Sequence, residues 1–334
     1  MSIDIQREGD LTPAEWNSLV DRAHQADAMH QWGALETMAE HTDSTLHPLV
    51  GYKGQEPVGI FPVFERRFGP VRTVFSPPPA LRVVYLGPAL LNMDKLKQRK
   101  AERRHRRFLD GVSEWIEDTI DPTYAHLRTT PGYPDVRPFT WSGHTVSPTY
   151  TYHVDITGSE SDVLGRFSRD ARSNVTNAAD YEVAERGIDA IDRVLEQVRG
   201  RYESQGVSFD VTTAFVRDLY ERTPEGTVRP YTCRREGSFV GGIVAFEFDG
   251  TIARWQGGVK PDDDSGFPTN DVLDWELMLA GREHGCDTYD LVGADNPRIN
   301  RYKSKFGPDL VGFYDVERST LLGSLAARVY KRTK

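Results

Sequence analysis

Lysine is scarce in this chain: nine of 334 residues, against 32 arginines. Cysteine is scarcer still, and Cys233 and Cys286 lie in no C-x-x-C or Cys/His ligand spacing. That excludes a disulfide-stapled miniature fold and reads as two reduced, buried thiols. No apolar run approaches the length of a membrane span, and "MSIDIQREGD" has no basic start followed by an apolar stretch. The expectation is a cytoplasmic protein without a secretory leader. No nucleophile elbow, Walker loop or zinc motif is present, and the nine histidines are scattered. Ordinary hydrolase, nucleotide-phosphate and zinc chemistry therefore lack their usual residues, and no metal is expected.

What is abundant is acid. Asp and Glu number 50 against 41 Lys and Arg, a formal charge of -9, while 38% of residues are hydrophobic. The apolar content supports real cores, and the length allows two domains. Dense carboxylate with Arg in place of Lys suggests solubility in high salt, and a halophilic archaeon as the source. One segment runs against the trend. "KLKQRKAERRHRR", residues 95–107, holds eight Lys/Arg against Glu102 alone. Such a stripe suits RNA or an anionic membrane surface, or pairs with acidic neighbours of the same chain. "LLGSLAARVYKRTK", at 321–334, is a second amphipathic, basic-ended segment, a tail or helix.

Read along the chain, helices precede strand meanders twice. Thr12, Pro13 and Glu15 make a capping box, "MHQWGALETMAEH" is helical, and "LHPLVGYKGQEPVGIFPVFERR" is a hairpin turning at Lys53-Gly54. A long helix covers about 94–118, and "YAHLRTT" is a strand. A Pro, Gly and Ser-rich stretch, "PGYPDVRPFTWSGHTVSPT", separates the halves. The strand "YTYHVDI" and a single helix, "SDVLGRFSRDARSNVTNAA", open the second half. Two more helices, a meander from "RPYTC" to "RWQGGV", the helix "NDVLDWELMLAGREHG", "TYDLVG" and "LVGFYDVERS" complete it. The order predicts a mixed α/β (α+β) chain of two related units, 1–149 and 150–320, ahead of the 321–334 tail.

Two of the scarce lysines share "NPRINRYKSKFG", residues 296–307. Asn296 caps, Pro297 takes the first position, and Gly307-Pro308 stops the helix. At about 100° per residue, Ile299, Tyr302 and Phe306 form the buried stripe. Lys305 then joins Arg298 and Arg301 on one flank, and Lys303 stands alone at the opposite edge of the stripe. Both also read as ordinary cations near a helix C-terminus. Arg166, Arg169 and Arg172, each three apart, form a row able to grip phosphate oxygens or to pair with Asp170. In "RWQGG", Trp255 is core or cleft lining, and Gln256 alternates to the other strand face.

In this order, "FSRDARSNVTNAADYEV", "SFVGGIVAFEFDGTIARWQGG", "FPTNDVLDWELMLAGREHGCDTYDLVG" and "NRYKSKFG" resemble the GNAT acyltransferase superfamily, in its Fem-type aminoacyltransferase branch. The likeness covers 150–320 well and 1–149 more loosely. It implies two tandem GNAT-like domains, each a mostly antiparallel mixed sheet flanked by helices. It also implies acyl transfer to an amine, without a tightly bound cofactor. "YKSKF" matches the family's aromatic, Lys, two residues, Phe, which assigns Lys303 to the reaction centre, with Tyr302 and Lys305 beside it. Arg172, Val175 and Ala178 keep the spacing of the acceptor-binding helix, which Arg169 shares. Trp255 and Gln256 fall where a strand lines the acyl cleft.

One departure concerns the donor. CoA-binding members carry a Gly-rich loop after that strand; here stands "KPDDDSGFPTN", and Asp262, Asp263 and Asp264 would repel a pyrophosphate. The resemblance thus favours aminoacyl-tRNA over acyl-CoA as co-substrate, and a phosphate- or lipid-linked small molecule as acceptor. The alternatives are a CoA-dependent N-acetyltransferase with a divergent loop, and a non-catalytic GNAT-like module binding RNA or another anion. No partner protein is expected. The general base stays open among Asp290, Asp295 and Tyr302.

Overall fold

The structure is a computed structural model that describes residues 3–7, 11–69, 71–259 and 266–319. Asp262–Asp264 and the 321–334 tail lie outside the described residues. The chain divides into two compact units between Thr149 and Tyr150, and the last strand returns to the first unit from Gly312. The second unit thus ends at Val311, short of the boundary at 320 expected from the sequence. No described helix is long and apolar enough to cross a membrane.

The first unit opens with strand β1 (Asp4–Arg7) and helix α1 (Pro13–Val20). The capping box of α1 is complete: Thr12 accepts from the Glu15 amide, and the Glu15 carboxylate accepts from the Thr12 amide at 2.9 Å. The next segment splits into a 3-10 turn, Ala28–His30, and helix α2 (Trp32–Thr42). Strands β2 (Thr45–Lys53) and β3 (Glu56–Phe68) form the hairpin, turning through Gly54 at φ +65°. β4 (Val71–Ser76), β5 (Ala89–Leu90), helix α3 (Gln98–Thr119), β6 (Tyr124–Arg128) and helix α4 (Arg137–Trp141) follow. Gly51 and Gly59 face each other across the hairpin, and the Phe108 ring of α3 lies over both. A Cβ on Gly59 would come within 2.6 Å of that ring. Two glycines therefore open a hole for one aromatic knob, in a core that also holds Leu49, Val58, Leu109 and Val112.

The basic run lies in α3 from Gln98, where the helix starts instead of at 94, with Lys95 and Lys97 ahead of it. Arg99, Lys100, Arg103 and Arg106 are exposed near its start; Glu114, Glu117 and Asp118 are exposed near its end. Both groups oppose the helix dipole. Some of the cations pair locally, Arg104 with Glu56 and Arg106 with Asp110, and Arg106 also lies over the exposed Trp141 ring.

Strand β7 (Thr145–Asp155) carries the chain into the second unit. There the expected single helix is two, α5 (Glu160–Arg166) and α6 (Arg169–Thr176), because Phe167 and Ser168 leave the helical region. Phe167 turns inward against Trp275 and Phe306, and Ser168 caps α6. β8 (Tyr181–Glu185), α7 (Asp189–Glu203), α8 (Thr213–Arg222), β9 (Val228–Arg235), β10 (Ser238–Phe248) and β11 (Thr251–Gly257) come next. Helix α9 (Thr269–Glu283), β12 (Thr288–Asp290), helix α10 (Pro297–Lys303) and β13 (Asp309–Ser319) complete the chain. The sheet order in this unit is β7-β12-β11-β10-β9-β8, antiparallel except between β11 and β12. Gly241 faces Thr269 and Leu273 of α9, and Gly242 faces Val194 of α7. Successive residues of a strand point to opposite faces, so the two helices cover the sheet from both sides.

Candidate active site

Among the described residues, the one parallel pairing of the second unit is short. Thr251–Ala253 of β11 pair with Thr288–Asp290 of β12, after which β12 ends while β11 runs on to Gly257 beside β10. Two strands pointing the same way thus part at their C-terminal ends. At the parting, β11 carries a bulge: Val244 and Ala245 face Gln256 and Arg254, leaving Trp255 without an opposite residue. Bulges re-aim side chains and recur beside active sites. This one also breaks the strict alternation expected for Gln256. Trp255 packs on Phe246 (4.7 Å) and Phe215 (6.2 Å) in the core, and Gln256 is buried too. Close packing requires glycine at 257, where a Cβ would sit 2.5 Å from the Ile243 Cα.

The lysine segment forms α10. Asn296 Oδ1 accepts from the Arg298 amide at 3.0 Å, and Pro297 starts the helix. The α-helix ends at Lys303, and Ser304–Phe306 form a tighter 3-10 turn closed by Gly307 at φ +65°. A rotation of 100° per residue therefore does not carry through to Phe306. Ile299, placed on the buried stripe by that rotation, is 47% exposed. Lys303, placed at its edge, is only 7% exposed. Lys305 is not one of a flank of solvated cations: its ammonium pairs with buried Asp271 of α9 and lies 4.3 Å above the Tyr302 ring.

Lys303 reaches past the end of β12. Its Nζ donates to the carbonyl oxygens of Val292 and Gly293, at 2.7 Å each, leaving a third N–H with no partner among the described residues. Burial, and next the Arg254 cation, bring its pKa down to about 8. The carbonyls it holds follow Asp290, whose Oδ1 accepts from Thr151 Oγ1 (2.6 Å) and the Val292 amide (2.8 Å). Tyr302 donates its hydroxyl to Asp274 Oδ2, and burial with that carboxylate holds the phenol far above its ordinary pKa. As a donor that does not ionise, Tyr302 is excluded as a general base at neutral pH. Asp290 is tied into the turn, and Asp295 is exposed.

The arginine row loses Arg166, while Arg169 and Arg172 stay three apart on one helix. Arg166, in α5, turns back to the Asp155 carbonyl; Arg169 and Arg172, in α6, are exposed, and Arg172 donates to the Phe167 carbonyl at 3.3 Å. α6 is nevertheless fastened to the lysine segment. The Ser168 amide donates to the Lys305 carbonyl at 2.7 Å, and Asn174 donates to the same Asp271 that pairs Lys305. The structure therefore joins Tyr302, Lys303 and Lys305 in one cluster, with Arg169 and Arg172 at the surface and Trp255 in the core.

Sequence reasoning missed Arg254, Asp271, Asp274 and Tyr289. Asp274 is fully buried, accepts from Tyr289 at 2.5 Å, and pairs with Arg254 Nε at 2.8 Å. A signal existed. Asp271 and Asp274 are three apart, on one face of an otherwise apolar run, and a carboxylate on such a face must find partners.

Comparisons with known proteins agree with this architecture. Residues 164–304 match the family model of the acetyltransferase (GNAT) domain. No curated protein matches the chain in sequence. Among solved structures, FemX superposes with a TM-score of 0.72 at 13% identity, over 93% of this chain and 96% of that one. The C-terminal domain of an Agrobacterium fabrum protein assigned as a lysylphosphatidylglycerol synthetase gives 0.54 at 14% identity, over 95% and 96%. A tandem GNAT protein from the clavulanic acid biosynthesis pathway gives 0.53 at 14%, over 94% and 98%. Residues 164–304 are therefore similar to the acetyltransferase (GNAT) domain, in a chain that shares its fold with FemX.

Proposed function

We propose that this chain moves an aminoacyl or acyl group from an activated ester or thioester to an amine on a phosphate- or lipid-linked acceptor. The observation that carries the reading is the Lys303 ammonium, buried where β11 and β12 part, with one N–H unspent. In the reaction the acceptor nitrogen attacks the carbonyl carbon, and a C–N bond forms. The carbonyl oxygen gains a negative charge, to which the third N–H of Lys303 donates. The C–O or C–S bond then breaks, and the leaving oxygen or sulfur takes the proton that the nitrogen loses. A fixed, desolvated donor of this kind contributes about 3–4 kcal/mol to such a step. Asp290 is tied into the turn and Tyr302 is spent as a donor to Asp274, so the base is the exposed Asp295 or the substrates themselves, and proton transfer within the substrates fits the site. The name of the lysylphosphatidylglycerol synthetase relative and the fold of FemX support an aminoacyl donor and an anionic, carrier-linked acceptor.

A CoA thioester is the second reading, favoured by the acetyltransferase description of the matching family. Against it, Asn270 at the start of α9 occupies both backbone groups of Val259, at 2.8 and 3.0 Å, where a pyrophosphate would seek a free amide. Incubation with an amine panel separates the two. Transfer from charged tRNA without release of CoA thiol supports the first reading. Thiol release from acetyl-CoA, dependent on the amine, replaces it with the second.

A further inference from the structure

Asp274 is a second feature of this site, and the transfer step above does not use it. It sits on the face of α9 that also buries Leu277 and Met278, and its carboxylate has no exposure. An isolated buried carboxylate is strongly disfavoured and is tolerated only with partners. Asp274 has three, each on a different element. Arg254 comes from β11, Tyr289 from β12 and Tyr302 from α10. These are the two strands that part and the helix that carries Lys303. Both phenols are donors and stay neutral, so the cluster consists of one cation and one anion, joined through Tyr302 to the residue before Lys303. The charges that act on Lys303 are Arg254 of β11, Asp274 of α9, Asp290 of β12 and Asp295 before α10.

A cation of this kind needs its own counter-charge. In a site of low polarity, an unpaired guanidinium next to an ammonium drives a proton off the lysine. We propose that Asp274 is the positioning residue of this site: its carboxylate offsets Arg254 and anchors Tyr302, so that Lys303 stays an ammonium where β11 and β12 part. This rests on the reading of Lys303 as the cation of the reaction centre.

The test reads Lys303 directly. The protein carrying 15N-labelled lysine is titrated by NMR, with the Lys303 Nζ signal assigned by its loss in Lys303→Arg. Asp274→Asn keeps the shape and removes the charge. It moves the Lys303 titration midpoint down by about one pH unit, a tenfold change in the ammonium fraction. Asp274→Asn combined with Arg254→Met removes both charges and returns the midpoint to within about half a pH unit of the parent. Arg254→Met alone moves it up, and serves as the test if the Asn variant does not fold. An unmoved midpoint in folded Asp274→Asn overturns the proposal, as does an equal downward shift in the double variant or no upward shift in Arg254→Met. The amine signal moves whether or not Lys303 takes part in transfer. Failure of the charge offset and failure of the proposed function therefore show up in different measurements.

Discussion

The Lys303 ammonium bonds the carbonyl oxygen of Val292, a β-branched residue in left-handed backbone at φ +53°. A residue of that shape at positive φ is a genuine outlier, costing about 1–3 kcal/mol and kept only where its surroundings over-determine it. Here Lys303 holds the carbonyl of Val292 and Asp290 holds its amide. The lysine is thus the clamp of a strained turn as well as the candidate reaction-centre cation. Loss of function on its removal must be separated from loss of fold.

Lys303→Met leaves two half-buried carbonyls unpaired. The expected destabilisation is about 1–3 kcal/mol, read as a lowered Tm by thermal melt. An unchanged Tm would show that the turn stands without the lysine.

The pH dependence follows from the same group. Lys303 titrates near pH 8, below its ordinary value, because burial penalises the charged form. The ammonium that donates to the oxyanion is present below pH 8 and lost above it, so the transfer rate falls as pH rises through 8. Stability moves the other way. Between about pH 8 and the ordinary lysine value near 10.4, the unfolded chain binds more protons at this site. The contribution of Lys303 to unfolding free energy therefore rises across that window. Denaturant melts at pH 7.5 and 9.5, compared with Lys303→Arg, measure it.

Lys305 and Asp271 form a mostly buried pair that ties α9 to the end of the lysine segment. Removing one partner strands the other charge. Lys305→Met costs about 3 kcal/mol, while Lys305→Met with Asp271→Leu recovers a large part of it. A double-mutant cycle by urea denaturation gives the coupling. Additive losses would show that the two groups do not act as a pair.

In the first unit, Gly59→Ala drives a methyl group into the Phe108 ring. The expected loss is about 1–3 kcal/mol, relieved when Phe108→Leu is added. Equal destabilisation with and without the smaller side chain would contradict the knob-and-hole account.

Much of the fold was legible, because apolar periodicity and turn residues are local. The capping box at Thr12, the turn at Gly54 and the meander from Val228 to Gly257 could all be read that way. The break between α5 and α6 could not, since Phe167 leaves the helix to reach Trp275 and Phe306, more than 100 residues away. That one displacement takes Arg166 out of the arginine row and leaves Arg169 and Arg172 together on α6. Lys303 was found through resemblance, and its surroundings escaped for two reasons. A uniform helical wheel misplaces Ile299 and Lys303 within the short α10, and alternation fails at the Trp255 bulge. Asp274 acts through partners on β11, β12 and α10, which only the tertiary fold brings together.

Single-turnover transfer by Lys303→Met tests the central claim most directly. The variant is assayed at pH 7.5, below its melting transition, with charged tRNA or an acyl-CoA as donor and a panel of phosphate- and lipid-linked amines. The account predicts a rate about 100- to 1,000-fold below that of the parent, with the folded fraction unchanged at the assay temperature. A folded Lys303→Met that transfers within about threefold of the parent contradicts it.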